Sequence, residues 1–325
     1  MTSSVAPHRY LEPAFLDALE QLATGPAEGN WWRDVLAHPE LVLAIRRNSI
    51  NAYYRGASIF RIDWKARQVT PYIHVKYLVR QAQSYVPLRN ERFEIGEPSP
   101  VLSTYDGPET LAAILKASAR YAGVEKAGLH PMLAGNGNVV DAEIALIRLS
   151  AEDDLPEDVD LPPSEQRQDR IDAAIAAFAE DGKTPAIRFY EAKHFSNPAL
   201  RASGDHAPAV LSQIEAYENA LHRHEEHLAA GYLETAKALL HFNEMRRIAI
   251  GDHAVRGISP VIRQIAESGQ GPIIDTQPRL IIYGFDKAQR DDSAWKNHLK
   301  KLEVALPERV RAIGNPTRQT VFYRR

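Results

Sequence analysis

An acid and a base alternate at the end of a short apolar stretch, and this pattern is the one best suited to chemistry. Residues 186–190 are apolar apart from Arg188 and run directly into Glu191, Ala192 and Lys193. Successive side chains on a β-strand point to opposite faces, so Glu191 and Lys193 should project together while Ala192 packs inward. A carboxylate beside an ammonium can hold a hard cation and a water molecule, which phosphodiester hydrolysis requires.

Two further segments carry polar residues at suggestive positions. Residues 138–147 alternate as a second strand after a turn rich in Gly and Asn, with Asp141 near its start. Residues 209–229 predict a helix on which Gln213 and Tyr217, four positions apart, share one face. The sequence therefore predicts an Asp, a Glu-x-Lys and a Gln-x-x-x-Tyr, carried in that order by a strand, a strand and a helix.

This order of motifs resembles the PD-(D/E)XK nuclease superfamily, and the Gln-x-x-x-Tyr helix resembles that of its recombination-exonuclease branch. The resemblance spans roughly residues 105–285. Val140 stands where the family often has Pro, and the distance between Asp141 and Glu191 requires an insertion. The resemblance implies an α/β fold with a restriction-endonuclease-like core, in which helices flank a mixed central sheet and Asp141 and Glu191 lie on adjacent strands.

The resemblance also implies a metal site. Asp141 and Glu191, with the backbone carbonyl of Ala192, would coordinate one or two Mg²⁺ ions, for which Mn²⁺ can substitute. Lys193 would orient or help to deprotonate the attacking water and offset charge in the transition state. Gln213 would act as a further catalytic residue by contacting the substrate or a water on the metal, and Tyr217 would pack beside it.

Two more acids are candidate ligands. Glu143 shares a strand face with Asp141 and would add a carboxylate to the site. Glu109 lies in the first turn of a helix predicted over residues 106–121, where the helix dipole alone favours an acid. Each carboxylate can instead be the ion-pair partner of a nearby base, and for Glu109 the dipole is the simpler explanation.

Residues 41–90 are strongly basic, with nine Lys and Arg against the single acid Asp63, and aromatic residues are interleaved with them. Cations neutralise phosphates and flat rings stack on unpaired bases, so this composition suits a nucleic-acid surface. The alternative is a sheet with a solvated basic face and an aromatic core. The candidate nucleic-acid contacts are Arg46, Arg47, Arg61, Trp64 and Lys65.

The periodicity of the N-terminal part predicts helices followed by strands. Helices are expected at 11–22 and 31–37, with 39–47 as a candidate third helix. Residues 49–77 are rich in β-branched and aromatic residues and predict an antiparallel meander that turns at Gly56.

A Gly- and Pro-containing stretch at 94–104 places a domain boundary near residue 104. The sequence thus predicts an N-terminal α+β domain, residues 1–104, and a nuclease domain, residues 105–325. In the second domain an acidic loop at 149–169 and a helix at 171–178 would form the insertion between the catalytic strands.

Composition narrows the classes of protein. The chain has 325 residues, a net charge of −3 and no Cys, which excludes disulfides, thiolate metal sites and cysteine nucleophiles. It begins without a basic and apolar leader and contains no stretch of about 18 apolar residues, so a cytoplasmic protein without membrane segments is expected.

The predicted function is a metal-dependent nuclease, acting on DNA in restriction, phage defence or repair, with RNA as an alternative substrate. The rival is a nuclease-fold protein without turnover that serves as a nucleic-acid-binding or assembly subunit. The intact set of Asp141, Glu191 and Lys193 favours the enzyme, because loss of activity usually removes one of these charges. The sequence leaves open whether the chain acts as a homodimer.

Overall fold

The computed structural model describes residues 8–79, 88–89, 92–93, 102–145, 170–251, 257–314 and 322. These residues form a mixed α/β fold with a four-stranded antiparallel sheet, a five-stranded mixed sheet and a two-stranded ribbon. The predicted acidic loop lies outside the described residues, as does most of the predicted linker at 94–104. None of the described helices combines the length and the apolarity needed to cross a membrane.

The N-terminal part begins with two helices, α1 (Pro13–Thr24) and α2 (Trp31–Ala37), as predicted. The antiparallel sheet follows in the order of the chain, and a short ribbon comes after it. The strands are β1 (Val42–Arg46), β2 (Ser49–Tyr54), β3 (Ala57–Lys65), β4 (Gln68–Tyr72), β5 (Leu88–Arg89) and β6 (Arg92–Phe93). The predicted turn at Gly56 is confirmed, since Arg55 and Gly56 both have the positive φ of a two-residue hairpin turn.

The candidate third helix at 39–47 is wrong, because these residues contain β1. All five residues of β1 are buried, so both faces of the strand are covered and its sequence shows no alternation. A fully buried strand and a buried helix segment have the same apolar pattern, and only length and context separate them.

The remaining elements surround the five-stranded sheet, whose strand order is β11-β10-β9-β8-β7. Strands β7, β8 and β9 form an antiparallel meander, while β10 and β11 run parallel to β9. The elements are α3 (Pro108–Ser118), α4 (Val124–Leu133), β7 (Val139–Ala145), β8 (Arg170–Phe178), β9 (Pro185–His194), α5 (Ala209–Arg223), α6 (Glu225–Ile250), α7 (Pro260–Ser268), β10 (Ile273–Tyr283), α8 (Lys287–Asp291), α9 (Ser293–Ala305) and β11 (Val310–Ala312).

Strand β8 overturns two predictions. The helix expected at 171–178 is wrong, because these residues form most of β8. The apolar positions Ile171, Ile175 and Phe178 fit helical spacing, but the strand is buried on both faces and its Ala residues hide the period of two. Since β8 separates β7 from β9, Asp141 and Glu191 are not on adjacent strands.

One hydrophobic core crosses the predicted domain boundary. Phe15 of α1 and Trp32 of α2 belong to the same buried cluster as Phe189 of β9 and Tyr232 of α6. The N-terminal sheet also meets the larger sheet where β1 packs against β7. The two parts therefore pack as one body in this structure, and a separately folding N-terminal domain stays a prediction.

Candidate active site

The register of the larger sheet brings acids from three adjacent strands into a row. The pairing of β7 with β8 continues on both sides of Glu143 and sets this residue opposite Asp172. The pairing of β8 with β9 joins Ala173 to Tyr190, and one step further it sets Asp172 opposite Glu191. We call Glu143, Asp172 and Glu191 the acid row. All three are buried, with relative exposures of 9%, 5% and 2%.

Two lysines hold the acid row. The Lys126 Nζ, from α4, lies 2.7 Å from Glu143 Oε1 and 2.6 Å from Asp172 Oδ1. The Lys193 Nζ lies 2.6 Å from Glu191 Oε1, as the shared strand face of these residues predicts. The Ala192 amide, between them, donates to Asp172 Oδ2 at 2.8 Å. The row therefore gathers three buried acids and the amino groups of two lysines.

The environment shifts the titration of these groups. Burial, with the nearby charge of Asp172, raises the pKa of Glu191 to about 8. Burial also raises the pKa of Glu143, although Lys126 opposes the shift. Burial alone would lower the pKa of Lys126 and Lys193, but their carboxylate neighbours outweigh it and both pKa values are raised. Burial thus makes the charges of both Glu143 and Glu191 costly to keep.

The residues of the row suit a cation. Glu191 Oε2 is buried and, within the described residues, has no hydrogen-bond partner, which is costly unless a ligand satisfies it. No group of three or more His, Cys, Asp or Glu side chains in the described ranges is arranged to hold a metal ion. Mg²⁺ often takes only one or two carboxylates from a protein and completes its shell with water and phosphate, so its binding does not require such a group.

Asp141 lies in a different environment from the one predicted. Its carboxylate is fully buried, with Arg9 Nε 2.7 Å from Oδ2 and Arg46 Nη1 2.6 Å from Oδ1. The Tyr232 hydroxyl lies 3.4 Å from Oδ2. Burial would raise the pKa of Asp141, but the two guanidinium groups lower it. We call these four residues the Asp141 cluster. It joins the N-terminal part to β7 and α6, and the structure does not bring Asp141 into the acid row.

The Asp141 cluster also holds the backbone beside the acid row. Glu143 has φ of +55° inside a strand, a conformation that costs free energy in a residue with a side chain. Arg46 Nη2 donates to the carbonyl of Ala142 at 2.7 Å, immediately before this residue. The strained backbone of Glu143 is therefore fixed by a buried guanidinium that Asp141 itself orients.

Sequence reasoning missed Asp172 and Lys126. Asp172 precedes Glu191 by 19 positions, which is the spacing of two paired strands and a short loop, whereas Asp141 needs a long insertion. This spacing was an available signal, but the helical interpretation of residues 171–178 concealed it. Lys126 lies on α4, whose sequence contains Gly128 and Pro131 and gives little indication of a helix.

The predicted Gln213 and Tyr217 pair is confirmed as neighbours on α5. The Gln213 amide Nε2 donates to the Tyr217 hydroxyl at 2.6 Å, and this hydroxyl donates to the Arg170 carbonyl at 3.1 Å. Arg170 begins β8, two residues before Asp172. The pair thus ties α5 to the strand that carries the central acid, and a contact between Gln213 and substrate stays a prediction.

Tyr217→Phe should lower the free energy of unfolding by about 1–2 kcal/mol, because the Arg170 carbonyl loses this hydrogen bond and the Gln213 amide loses its acceptor. Tyr121→Phe is the matched control, since Tyr121 is 59% exposed and its hydroxyl can be replaced by water. Urea unfolding of the two variants measures the difference. Equal, negligible losses would show that the hydroxyl of Tyr217 does not secure β8.

The remaining candidate ligands are distributed as follows. Glu109 is exposed in the first turn of α3, a helix that packs on α2 and β3, so it lies outside the acid row. Its position agrees with the simpler explanation by the helix dipole. Glu143, in contrast, is a member of the row. The carbonyl of Ala192 lies between two site residues, and its role as a ligand stays a prediction.

The predicted nucleic-acid contacts are only partly on the surface. Arg46 is 5% exposed and belongs to the Asp141 cluster, so its assignment as a surface contact is wrong. Trp64 is half-buried and stacks on the ring of Phe15 at 5.6 Å, which favours a packing role. The other three candidate contacts remain accessible to solvent. Arg47 is exposed, while Arg61 and Lys65 are partly to largely exposed and lie 2.9 and 3.0 Å from Asp63.

Comparison of the chain with protein-family models, with curated proteins and with solved structures found no match.

Proposed function

We propose that this protein is a Mg²⁺-dependent nuclease of the PD-(D/E)XK type that hydrolyses phosphodiester bonds in DNA, with Asp172 in the place first given to Asp141. One observation carries the proposal. Glu191 is a buried acid that shares its strand face with Lys193, faces Asp172 across the sheet, and keeps an oxygen without a partner among the described residues. Active sites are where burial and like charges shift pKa values in this way.

In this proposal the acid row binds the metal. Asp172 and Glu191, with Glu143 beside them and the Ala192 carbonyl as a further donor, would hold one or two Mg²⁺ ions. Bound there, Mg²⁺ would offset negative charge at the scissile phosphate and lower the pKa of water, and Mn²⁺ can substitute for it.

Lys193 would act as a positioning and charge-stabilising group. The carboxylate neighbours of Lys193 outweigh the effect of burial and raise its pKa, so Lys193 stays protonated near neutral pH. A protonated ammonium orients the attacking water through hydrogen bonds and stabilises negative charge on the phosphate. It cannot take up the proton that the attacking water loses. Lys126 has the complementary task of neutralising Glu143 and Asp172, which keeps the row together before substrate arrives.

In this proposal the N-terminal sheet binds the DNA. Its accessible bases Arg47, Arg61 and Lys65 would contact phosphates, whereas Arg46 and Trp64 serve the fold. A cytoplasmic location in restriction, phage defence or repair agrees with this assignment.

Cleavage assays test the proposal directly. We expect the purified chain to cut circular or linear DNA in Mg²⁺ or Mn²⁺ and to be inactive in EDTA, with RNA assayed in parallel to fix the substrate. Circular DNA separates internal cutting from attack at ends. Intact DNA and RNA in all metals, or cleavage that EDTA leaves unchanged, would overturn the assignment.

A second candidate function rests on the lysines. Lys126 and Lys193 already place an ammonium against every carboxylate of the row. This neutralisation favours a nuclease-fold protein without turnover that binds nucleic acid or assembles with a partner. DNA binding in EDTA, together with no cleavage in Mg²⁺ or Mn²⁺, would support it.

The titration of Glu191 predicts a pH-dependent response to Mg²⁺. With its pKa raised to about 8, Glu191 binds a proton below that pH, and a cation must displace it. The apparent Mg²⁺ affinity should therefore rise up to about tenfold per pH unit between pH 6 and 8. Thermal unfolding with and without Mg²⁺ measures the change.

The same shift fixes the sign of stability in EDTA. The pKa of Glu191 is higher in the folded protein than in the unfolded chain, so the protonated form of Glu191 stabilises the folded state. This stabilisation is fully present below the unfolded pKa and is lost as pH rises through about 8. Wild-type stability should therefore fall from pH 6 to 9 relative to Glu191→Gln, which has no acid to ionise. Parallel curves for the two proteins would contradict the raised pKa.

A further inference from the structure

A cavity of about 510 Å³ lies against β9, β10 and β11, outside the acid row. Its wall contains Arg188 and Tyr190 of β9, and Tyr190 points to the opposite face of the strand from its neighbour Glu191. The volume falls within the range of about 300–1,000 Å³ of small-molecule sites. The cavity is thus separate from the proposed site of hydrolysis and large enough for a small ligand.

Four arginines line this cavity, namely Arg188, Arg279, Arg309 and Arg311. Two acids, Glu180 and Glu308, also line it, so the charge of the lining is positive. A guanidinium presents its donors in a rigid fork that matches the oxygens of phosphate. An anionic ligand with several acceptor oxygens, such as a phosphate chain, fits this lining.

Part-buried contacts hold two of the guanidinium groups in place. Arg279 Nη1 lies 2.7 Å from Asp275 Oδ2, and Arg309 Nη1 lies 3.1 Å from Glu218 Oε2. Each contact uses one nitrogen, while a guanidinium carries five N–H donors. These carboxylates therefore orient the arginines without exhausting their capacity to donate.

Arg188 gives an independent indication. Its Nη2 donates to the Phe178 carbonyl at 2.8 Å, but its Nε is buried and has no hydrogen-bond partner in the part of the chain that the structure describes. The nearest carboxylate oxygen, of Asp275, is 3.9 Å away. A buried charged donor without a hydrogen bond is costly, and an anion in the cavity would relieve that cost.

Part of the lining is apolar and aromatic, and we call this part the floor of the cavity. The rings of Tyr190 and Phe322 meet edge to face with their centroids 4.9 Å apart, and Ile281 and Val310 lie beside them. A flat ring system stacks favourably on such a surface. We propose that this cavity binds a nucleotide, with its phosphates on the arginines and its base on the apolar floor. This proposal does not rest on the nuclease activity.

Binding of free nucleotides to the full chain in EDTA tests the proposal, because EDTA removes divalent cations that would otherwise recruit phosphates to the acid row. ATP should bind more tightly than AMP, and adenosine should not bind measurably by calorimetry. A short 5′-phosphorylated oligonucleotide forms a second arm. Tighter binding of ATP identifies a free nucleotide as the source of the phosphates, and tighter binding of the oligonucleotide identifies a nucleic-acid end.

Variants locate the site. Arg188→Gln and Arg279→Gln should each weaken ATP binding at least tenfold, while Arg279→Lys, which keeps the charge, should lose less. Arg263→Gln on α7 is the control, because Arg263 is an exposed arginine with a similar carboxylate partner, Glu267, at 3.7 Å. Melting temperatures must show that every variant is folded.

Three results would overturn the proposal. The first is the absence of binding by wild type to both ATP and the oligonucleotide at millimolar concentration. The second is unchanged affinity in both folded Gln variants, which places the ligand elsewhere. The third is tripolyphosphate binding as tightly as ATP, which leaves no role for the base and the floor.

Discussion

Replacing Glu191 by Gln is expected to reduce Mg²⁺-dependent cleavage at least about 100-fold while the protein stays folded. The loss of groups that merely support metal ligands typically costs 10–100-fold, so removing a charge that would hold the metal directly should cost no less. The fold should tolerate the change. With its pKa raised to about 8, Glu191 is largely neutral at pH 7, and an amide of the same shape replaces it without opening a cavity.

Cleavage rates at saturating and limiting Mg²⁺, alongside thermal unfolding, measure this effect. Glu234→Gln is a matched control, because Glu234 has a lysine partner at 2.7 Å but lies part-exposed on α6. Lys193→Ala should also lose cleavage while keeping the Mg²⁺-dependent rise in melting temperature. A Glu191→Gln enzyme with wild-type rates would reject the acid row as the catalytic centre.

The largest loss of stability is expected from Asp141→Asn, at about 3–5 kcal/mol, because it removes a carboxylate that lies between two buried guanidinium groups. Asp172→Asn should behave in the opposite way. Asn has one acceptor oxygen for the two donors of Asp172, Lys126 and the Ala192 amide, but Lys126 keeps its contact with Glu143, so the loss of stability should be smaller than in Asp141→Asn while cleavage is lost. Comparing the two variants shows whether the metal ligand is Asp141, which the sequence motif predicts, or Asp172, which the sheet brings beside Glu191.

Urea unfolding gives the two stabilities, and cleavage is measured at a temperature where both variants are folded. Correcting the activity of Asp141→Asn for its folded fraction is essential, because the Asp141 cluster also fixes the backbone of Glu143 through Arg46. A fully stable but inactive Asp141→Asn, together with an active Asp172→Asn, would restore the original assignment of the metal ligand.

Local pattern was sufficient for several parts of the fold and the site. The alternation of Glu191 and Lys193 on β9 follows from strand geometry, and their 2.6 Å contact agrees with it. The Gln213 and Tyr217 contact follows in the same way from the spacing of a helix. The N-terminal meander and its turn at Gly56 were indicated by composition and by the demand of a tight turn for positive φ.

The hydrophobic patterns of strands that are buried on both faces were ambiguous between a strand and a helix. Strands β1 and β8 are covered on both faces, so their apolar residues do not alternate and each was interpreted as a helix. The error at β8 had a chemical consequence, because Asp172 lies on this strand. An acid placed on a solvated helix is an ordinary residue, whereas the same acid on a buried strand needs partners.

The sequence by itself determined which residue types stand two or four positions apart, and hence the pairs within one strand or one helix. Only the tertiary structure decided which acid faces Glu191, because strand order and register depend on packing between segments far apart in the chain. The same holds for Asp141, whose partners Arg9 and Arg46 lie 132 and 95 positions away. A motif gives the spacing of its residues along the chain, but the free energy of burying a charge depends on which opposite charges the fold brings beside it.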